Sequence, residues 1–504
     1  MKLFEFIAAF AGVALTLGVR AEAPQTRALS LEDCIQIAVQ HNLDVQIVRT
    51  SPELAQFTLS GTYGSYDPLF RLSGAHTYNL APGGFDQQGR VFQGTESKIN
   101  SFGSGISGLL PWGLNYDLGL TMADRFGTLP GSDPNASRIP FETTSGEAGA
   151  LTLRQPLLKN FWIDSTRLQI YLNKQNVKIS DLDVRLQIIN TVTDVEAAYF
   201  DLIHAQESVK VQQQAMELAE RLVAENRRRV EVGALAPLDS KQAESQAASS
   251  RADLLAAQSA RGTLERVLKN LLSDNYSEWA NVIVQPTDAL LAIPQQFSLQ
   301  ESWRIGLEQR PDLLQARLNL EKQGYVVKYQ KNQLYPQLDL VGSYGYAASS
   351  AEFSGAFSQL SSADNPFYSV GAQLTFPLGN IGARNSYKSA KLTKEQIGLQ
   401  LKQLQQATLI KIENAMAVAE TSLQRVTATR EARLYSESAL EAEQTKLEKG
   451  KSTTFVVLQL QKDLTSARSA EIRALADYNI ALARLAQNEG STLDRRHMTM
   501  HVTK

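Results

Sequence analysis

Tyr335-Pro336-Gln337-Leu338-Asp339-Leu340-Val341-Gly342-Ser343-Tyr344-Gly345-Tyr346 is the stretch that decides the fold. Leu338, Leu340, Tyr344 and Tyr346 alternate with Gln337, Asp339, Ser343 and Gly345. A period of two reads as a β-strand with one apolar and one polar face. Tyr368, Val370, Ala372, Leu374 and Phe376 repeat the pattern against Ser369, Gly371, Gln373 and Thr375. Leu114, Tyr116, Leu118, Leu120 and Met122 do so in the N-terminal half, with weaker versions at Phe70, Leu72 and Tyr78 and from Ala148 to Arg154. The polar, Gly/Pro-rich stretches between them, Ala81–Gly94, Gly127–Gly146 and Ala347–Asn365, read as exposed loops.

The strand-bearing stretch belongs to a tandem duplication. Ser30-Leu31-Glu32-Asp33 opens one apolar periodic run and Ser298-Leu299-Gln300-Glu301 opens another. The same offset carries Pro68 onto Pro336. Gln155-Pro156-Leu157 recurs as Phe376-Pro377-Leu378, and Arg229-Val230-Glu231-Val232-Gly233 as Lys446-Leu447-Glu448-Lys449-Gly450. The period far exceeds the ~20–50 residues of a solenoid repeat, so each unit is a composite of helix, strands and long helices. From Pro68 to Pro156 there are 88 residues, against 41 from Pro336 to Pro377. The surplus holds Ile99–Leu109 and Leu114–Met122, joined by Pro111-Trp112-Gly113, and predicts an extra β-hairpin. With that hairpin in the wall, four strands in the first repeat and two in the second make six; the alternative is that it stands above a four-stranded wall as an extracellular cap.

Each repeat opens with a helix. Ser30 and Ser298 carry an acid three residues on, the pattern of a capping box, and the helices are expected to run to about Ser60 and Lys331. After each strand-ending proline comes a much longer helix. Ile188, Val192, Val195, Tyr199 and Leu202 step by four and three, as do Ile412, Met416, Ala419, Leu423 and Val426, which is a coiled-coil seam. No proline or glycine interrupts Asp164–Val230. A helix of that length spans roughly 100 Å at ~1.5 Å per residue. Gly233 and Gly450 break the runs, and alanine-rich helices return at Asp239–Leu272 and Phe455–Gln487. Each repeat therefore ends in a helical hairpin.

The 504 residues carry a net charge of −2, with Lys+Arg nearly equal to Asp+Glu, so nothing points to nucleic acid. Cys34 is the only cysteine, which excludes an intrachain disulfide and a cysteine metal cluster. Lys2, the apolar run Phe6–Val19 and Ala21-Glu22-Ala23 read as a secretory signal peptide over 1–21, cleaved after Ala21 in preference to Ala23. No later segment has the ~20 consecutive apolar residues of a transmembrane helix. An open sheet edge cannot sit in lipid, because its backbone groups lack partners there. Amphipathic strands too few to close a barrel therefore either stay in water or close one with other copies of the chain.

These residues resemble the TolC-type outer-membrane efflux protein family. The resemblance runs from Leu29 to about Gln487. Its carriers are the openings at Ser30 and Ser298, Tyr335-Pro336-Gln337-Leu338, the two proline corners, Arg229-Val230-x-Val232-Gly233-(x5)-Asp239, and Lys446-x-x-x-Gly450-(x4)-Phe455-x-Val457-Leu458. It implies a homotrimer sharing one outer-membrane β-barrel, continued by a periplasmic α-helical tunnel. It implies passage of small molecules or proteins delivered by an inner-membrane pump and a periplasmic adaptor. Six strands per protomer would make a wider barrel than the family's usual four.

The resemblance also assigns positions. The hairpin tips, Arg229, Val232 and Gly233 and then Lys449 and Gly450, are expected to contact the adaptor, although Lys449-Gly450-Lys451 departs from the family's Arg-x-x-Val-Gly-Leu turn. The periplasmic mouth falls at Asp239, Val456 and Gln459. The family's best-studied type has a pair of aspartates where Val456 and Gln459 stand here, so no acidic ring is expected at those two positions. Leu338, Leu340, Tyr344 and Leu374 are expected to face lipid, with Tyr344 and Tyr346 as girdle residues at the membrane interface.

The domain reading is a signal peptide (1–21), an N-terminal helix (22–67), strands (68–156), a helical hairpin (157–272), a linker (273–297), a helix (298–335), strands (336–377), a hairpin (378–488) and a polar tail (489–504). Gly103-Ser104-Gly105-Ile106-Ser107-Gly108 matches a phosphate-binding pattern but lacks its strand-then-helix setting, and reads as strand and turn. His497 and His501 lie in the polar tail, expected to be loose, with no ligand set around them. No catalytic, cofactor or metal residue stands out. The rival readings are a periplasmic coiled-coil adaptor or structural protein, and a secreted enzyme.

Overall fold

A computed structural model describes residues 25–85, 87–129, 139–233 and 236–498. The expected signal peptide, its cleavage points and His501 lie outside the described residues.

Caps and breakers set the helices. At α1 (Leu31–His41) the capping box forms: Asp33 N–H donates to Ser30 Oγ at 3.2 Å, and its carboxylate accepts Ser30 N–H at 3.0 Å. The single helix expected to Ser60 is in fact three, α1, α2 (Leu43–Arg49) and α3 (Ser51–Tyr63). Asn42 makes the first break. Its side-chain oxygen accepts the N–H groups of Asp44 and Val45, while its amide donates to the Leu271 carbonyl at 3.1 Å. Pro52, in the first turn of α3, makes the second.

α4 (Ser165–Glu231) is the uninterrupted helix that the sequence predicts, and Asp164 starts it by accepting Arg167 N–H at 2.7 Å. α5 (Pro237–Leu272) and the short α6 (Tyr276–Trp279) follow. In the second repeat α7 (Leu299–Gln309) and α8 (Pro311–Asn332) replace one expected helix, because Pro311 has no N–H to continue α7. Glu301 pairs with Arg304 at 2.5 Å, one turn along its own helix. α9 (Phe353–Ser362), α10 (Ile381–Glu448), α11 (Thr454–Glu489) and α12 (Thr492–Arg495) complete the set. No described helix is both long and apolar enough to cross a membrane.

The strands are β1 (Gln25–Leu29), β2 (Leu69–Ala81), β3 (Gly84–Phe85), β4 (Val91–Phe92), β5 (Thr95–Leu109), β6 (Asn115–Leu129), β7 (Ile139–Pro156), β8 (Val282–Pro286), β9 (Gln337–Ser350) and β10 (Pro366–Thr375). Six of them form one antiparallel sheet in the order β10-β9-β7-β6-β5-β2. The extra hairpin of the first repeat is therefore β5 and β6, paired along their whole length in the body of the sheet.

The expected loops are shorter than the sequence implied. β6 reaches Leu129, β7 begins at Ile139, and β3 pairs with β4 inside Ala81–Gly94. The stretch Ala347–Asn365 holds the end of β9 and the whole of α9. Backbone pairing prolongs strands into polar sequence that has no period-2 signal.

Contacts divide the chain into two units, and each draws on both repeats. One unit comprises the described parts of 1–47, 187–304 and 411–499; the other is built from 48–186 and 305–410. In the first, the seam residues Ile188, Val192, Val195, Tyr199 and Leu202 are all buried. Ile412 and Met416 pack with Leu485, and Val426 with Ala474 and Tyr478. Small alanines on α11 let its neighbours approach closely, and Ala474, Ala476, Ala481 and Ala486 are buried.

Residues 273–297, expected to be a linker, carry α6 and β8, and β8 pairs in parallel with β1. Two buried tyrosines tie this segment down. Tyr199 donates to the Asp288 carboxylate at 2.7 Å and Tyr478 to the Ile293 carbonyl at 2.7 Å. Asp288 also accepts the N–H of Leu31 at 2.8 Å.

The described part of the expected polar tail is likewise folded. Gly490, at φ 75°, ends α11, and Thr492 and Leu493 of α12 are buried. Arg496 pairs with Glu196 at 2.7 Å and Arg495 with Glu489 at 3.1 Å. Burial pushes the Glu196 carboxyl upward from its ordinary range and the Arg496 guanidinium draws it back.

Candidate channel wall and hairpin tips

One row of paired residues crosses all six strands of the sheet: Phe70, Ile106, Leu118, Leu151, Tyr344 and Tyr368. Every member is apolar or aromatic. The neighbouring row, on the opposite face, is Leu69, Ser107, Asp117, Thr152, Ser343 and Ser369. It is polar at every strand except β2. Successive strand residues point to opposite faces, so at this level the sheet carries one apolar and one polar surface, whereas farther along the first face the row His76, Asn100, Asp124, Thr144 and Ser350 is polar.

Leu338 lies opposite Leu374, and Leu340 opposite Ala372, on the apolar face. Leu340, Tyr344 and Leu374 remain 45%, 48% and 60% exposed in the single chain, so about half of each apolar surface stays open. Tyr344 and Tyr346 meet edge to face, with their hydroxyls 3.0 Å apart. Trp112, 57% exposed, stands in the tight turn between β5 and β6, where Gly113 takes φ 93°. The phosphate-binding look-alike is strand: Gly103, Gly105 and Gly108 all lie in β5, and the Tyr116 ring occupies the space where a Gly108 side chain would stand.

A bulge keeps the faces in register. From Leu151 to Ala148 β7 advances three residues while β9 advances two, from Tyr344 to Tyr346. Gly149, at φ 58°, accommodates the extra residue. Without it the distal half of β7 would turn its side chains to the wrong side.

The polar face carries charge pairs that the strand pattern alone did not reveal. Arg154 reaches Asp339 at 2.5 Å, and Arg71 approaches Asp117 at 3.6 Å. Asp339 was legible as the polar half of an alternation, but its pairing with Arg154 depends on β7 lying beside β9. The Ser343 and Ser369 hydroxyls on this face are 2.7 Å apart.

The hairpin tips belong to the other unit. α10 ends in a Schellman turn: Gly450 N–H donates to the Leu447 carbonyl at 3.1 Å and Lys451 N–H to Lys446 at 2.9 Å. Gly450 sits at φ 68°. Gly233, at φ 72°, follows the last turn of α4 and donates to the Val230 carbonyl at 2.9 Å. Both positions need the left-handed backbone that glycine adopts freely. Val232 is 78% exposed, Lys449 is exposed, and Arg229 is held by Glu225 one turn back. In Arg227-Arg228-Arg229, a basic run beside the first tip, Arg227 pairs with Glu244 at 2.9 Å, whereas Arg228 is exposed.

The expected mouth positions start the returning helices. Asp239 is half-buried in the first turn of α5, and its carbonyl accepts from Asn226 at 3.4 Å. Val456 and Gln459 are exposed on α11, and Gln459 donates to Asp463 at 3.0 Å. Helical spacing puts Val456, Gln459 and Asp463 on one face. A carboxylate thus follows one turn beyond the two positions where none was expected. Among the described residues no group of three or more His, Cys, Asp or Glu could hold a metal ion.

The profile of a family described as outer membrane efflux protein matches residues 137–273 and 305–491, one segment in each repeat. A relative from Brucella suis, outer membrane efflux protein BepC, is 23% identical over 345 residues, 67% of this chain and 70% of that protein. Among solved structures, the Campylobacter jejuni CmeC outer membrane channel is similar with a TM-score of 0.66 and 16% identity, over 97% of this chain and 94% of that one. The open state of the Neisseria gonorrhoeae MtrE outer membrane channel is similar at 0.62 and 17%, over 93% and 91%.

Proposed function

The chain belongs to the outer membrane efflux protein family, and from that premise we propose that it is the exit duct of a tripartite efflux or type I secretion system. It passes small molecules or proteins from an inner-membrane transporter and a periplasmic adaptor to the exterior. The observation that carries this reading is the two-faced sheet with unpaired edges at β2 and β10. An apolar face belongs in lipid and a polar face against water, and a free edge cannot sit in lipid.

Three copies of the six-stranded sheet close a barrel of eighteen strands, three times six. Barrels of about that number leave an aqueous channel. In this assembly Leu338, Leu340, Tyr344 and Leu374 meet lipid, while Ser343 and Gln373 line the lumen. The long helices of the three copies line a tunnel through the periplasm. Their glycine-ended tips, with Arg229, Val232, Gly233, Lys449 and Gly450, meet the adaptor, and Asp239, Val456 and Gln459 lie at the mouth.

The test is the oligomeric state and conductance of protein purified in mild detergent. A trimer that conducts ions across a planar bilayer is expected. A detergent-stable monomer with its full strand content and no conductance overturns the reading. The adaptor and the secreted enzyme both predict a protein that needs no detergent.

A further inference from the structure

α9 stands where the sequence reads as exposed loop, and it is short, uncharged and two-sided. Ala356 and Leu360 are buried against Met122 and Ala348. Those two share the apolar face of the sheet with Leu118 and Tyr344, four residues away on β6 and β9. Gly146 lies beneath the helix. A side-chain carbon there would come within 3.2 Å of Leu360 Cδ1, so glycine lets the helix rest directly on the strand. Phe353 and Phe357, one turn apart, are left 56% and 55% exposed. Helical spacing sets Ser354, Ser358 and Ser362 away from this stripe.

We propose that α9 is an interfacial helix whose Phe353 and Phe357 rings enter the outer leaflet of the outer membrane, with lipid acyl chains covering its exposed apolar side. This rests on the reading that the Leu340–Tyr344–Leu374 face meets lipid. The argument for lipid is continuity. The helix is seated on the face that carries the row Phe70 to Tyr368, and its two phenyl rings extend that apolar surface beyond the sheet. An amphipathic helix with aromatic residues on one side and hydroxyls on the other lies in the plane of a membrane interface. α9 has no charge with which to hold anionic headgroups or an oppositely charged protein, so its exposed rings carry the contact.

Nitroxide accessibility in the full-length protein tests this. Cys34→Ala removes the only native thiol, and single cysteines at Phe353, Phe357, Leu374 and Ser343 take the spin label in turn. The assembled protein is placed in phosphatidylethanolamine–phosphatidylglycerol vesicles and probed with oxygen, which partitions into lipid, and with a water-soluble nickel chelate. Labels at 353 and 357 are expected to match the label at 374, with an oxygen-to-nickel ratio several-fold above that at 343. A nickel-dominated ratio at 353 and 357, with 374 still in lipid, overturns the inference and leaves the strand reading intact. Low access to both probes at 353 and 357 overturns it too, because the helix then packs on another copy of the chain. A nickel-dominated ratio at 374 with an oxygen-dominated one at 343 overturns the strand reading and the inference together.

Discussion

Arg154 holds Asp339 with two nitrogens, Nε at 2.7 Å and Nη2 at 2.5 Å from the same carboxylate oxygen. The pair lies where β7 of the first repeat meets β9 of the second, so one ion pair spans the seam of the duplication. Its two ends differ in setting. The Asp339 side chain is 2% exposed and that of Arg154 48%.

That asymmetry predicts unequal mutants. Arg154→Ala leaves a buried carboxylate with only the Gln337 amide donating to it, at 2.9 Å, a loss below the ~3–5 kcal/mol of a fully buried pair because Arg154 is half exposed. Asp339→Asn leaves a neutral acceptor in place and a guanidinium that already reaches water, so its effect should be well below that. Heat resistance of the detergent-purified assembly reads the difference. Equal loss in both variants contradicts the burial argument.

Leu340→Arg and Leu374→Arg should impair insertion into the outer membrane. A cation at the lipid midplane costs about 2–4 kcal/mol. Arginine at Ser343 or Gln373, on the opposite face, should be tolerated. Fractionation of the membranes reports the outcome, and similar defects at all four positions mean that the faces are wrongly assigned.

Gly233→Val and Gly450→Val force a β-branched residue into the left-handed region at φ 72° and 68°. The strain is about 1–2 kcal/mol per residue. Because a side chain at either position enters open space, the damage should stay at the tips. Assembly should persist while export and adaptor co-purification fall. Loss of assembly together with export would show the turns to be structural only.

Cys34 should resist thiol reagents in the folded protein. It is fully buried, and burial, with Asp33 and Asp288 adding to it, pushes its thiol up to about 12. An unfolded thiol titrates near ~8.5. The stability held by the neutral thiol is therefore complete below the unfolded value and is lost as pH rises toward the folded one. Maleimide at about pH 8.5 should label the chain only after denaturant is added; rapid labelling without denaturant contradicts the burial.

What the sequence determined by itself is what repeats at short range. A period of two in Leu338–Tyr346 and Leu114–Met122 places strands and their two faces. Steps of three and four from Ile188 and Ile412 place the long helices. Gly233 and Gly450 end those helices because a backbone with positive φ is written in one residue. Even the extra hairpin was legible, since Leu114–Met122 alternates without help from any neighbour.

Tertiary structure decided whatever depends on residues distant in the chain. Ile139–Ala148 lacks alternation and becomes strand because β6 and β9 flank it. Val282–Pro286 is a strand because β1, some 250 residues earlier, supplies its partner. α9 has Phe353, Ala356, Phe357 and Leu360 at helical spacing but is too short to stand alone and folds on Met122 and Ala348, as the tail does on Glu196. Arg154 and Asp339 are 185 residues apart, and no spacing rule joins them. Backbone dihedral preferences and side-chain periodicity act within a turn or a pleat and are printed in consecutive residues. Hydrogen-bond pairing between strands, burial and charge pairing act across the folded chain, and they exist only once it has closed on itself.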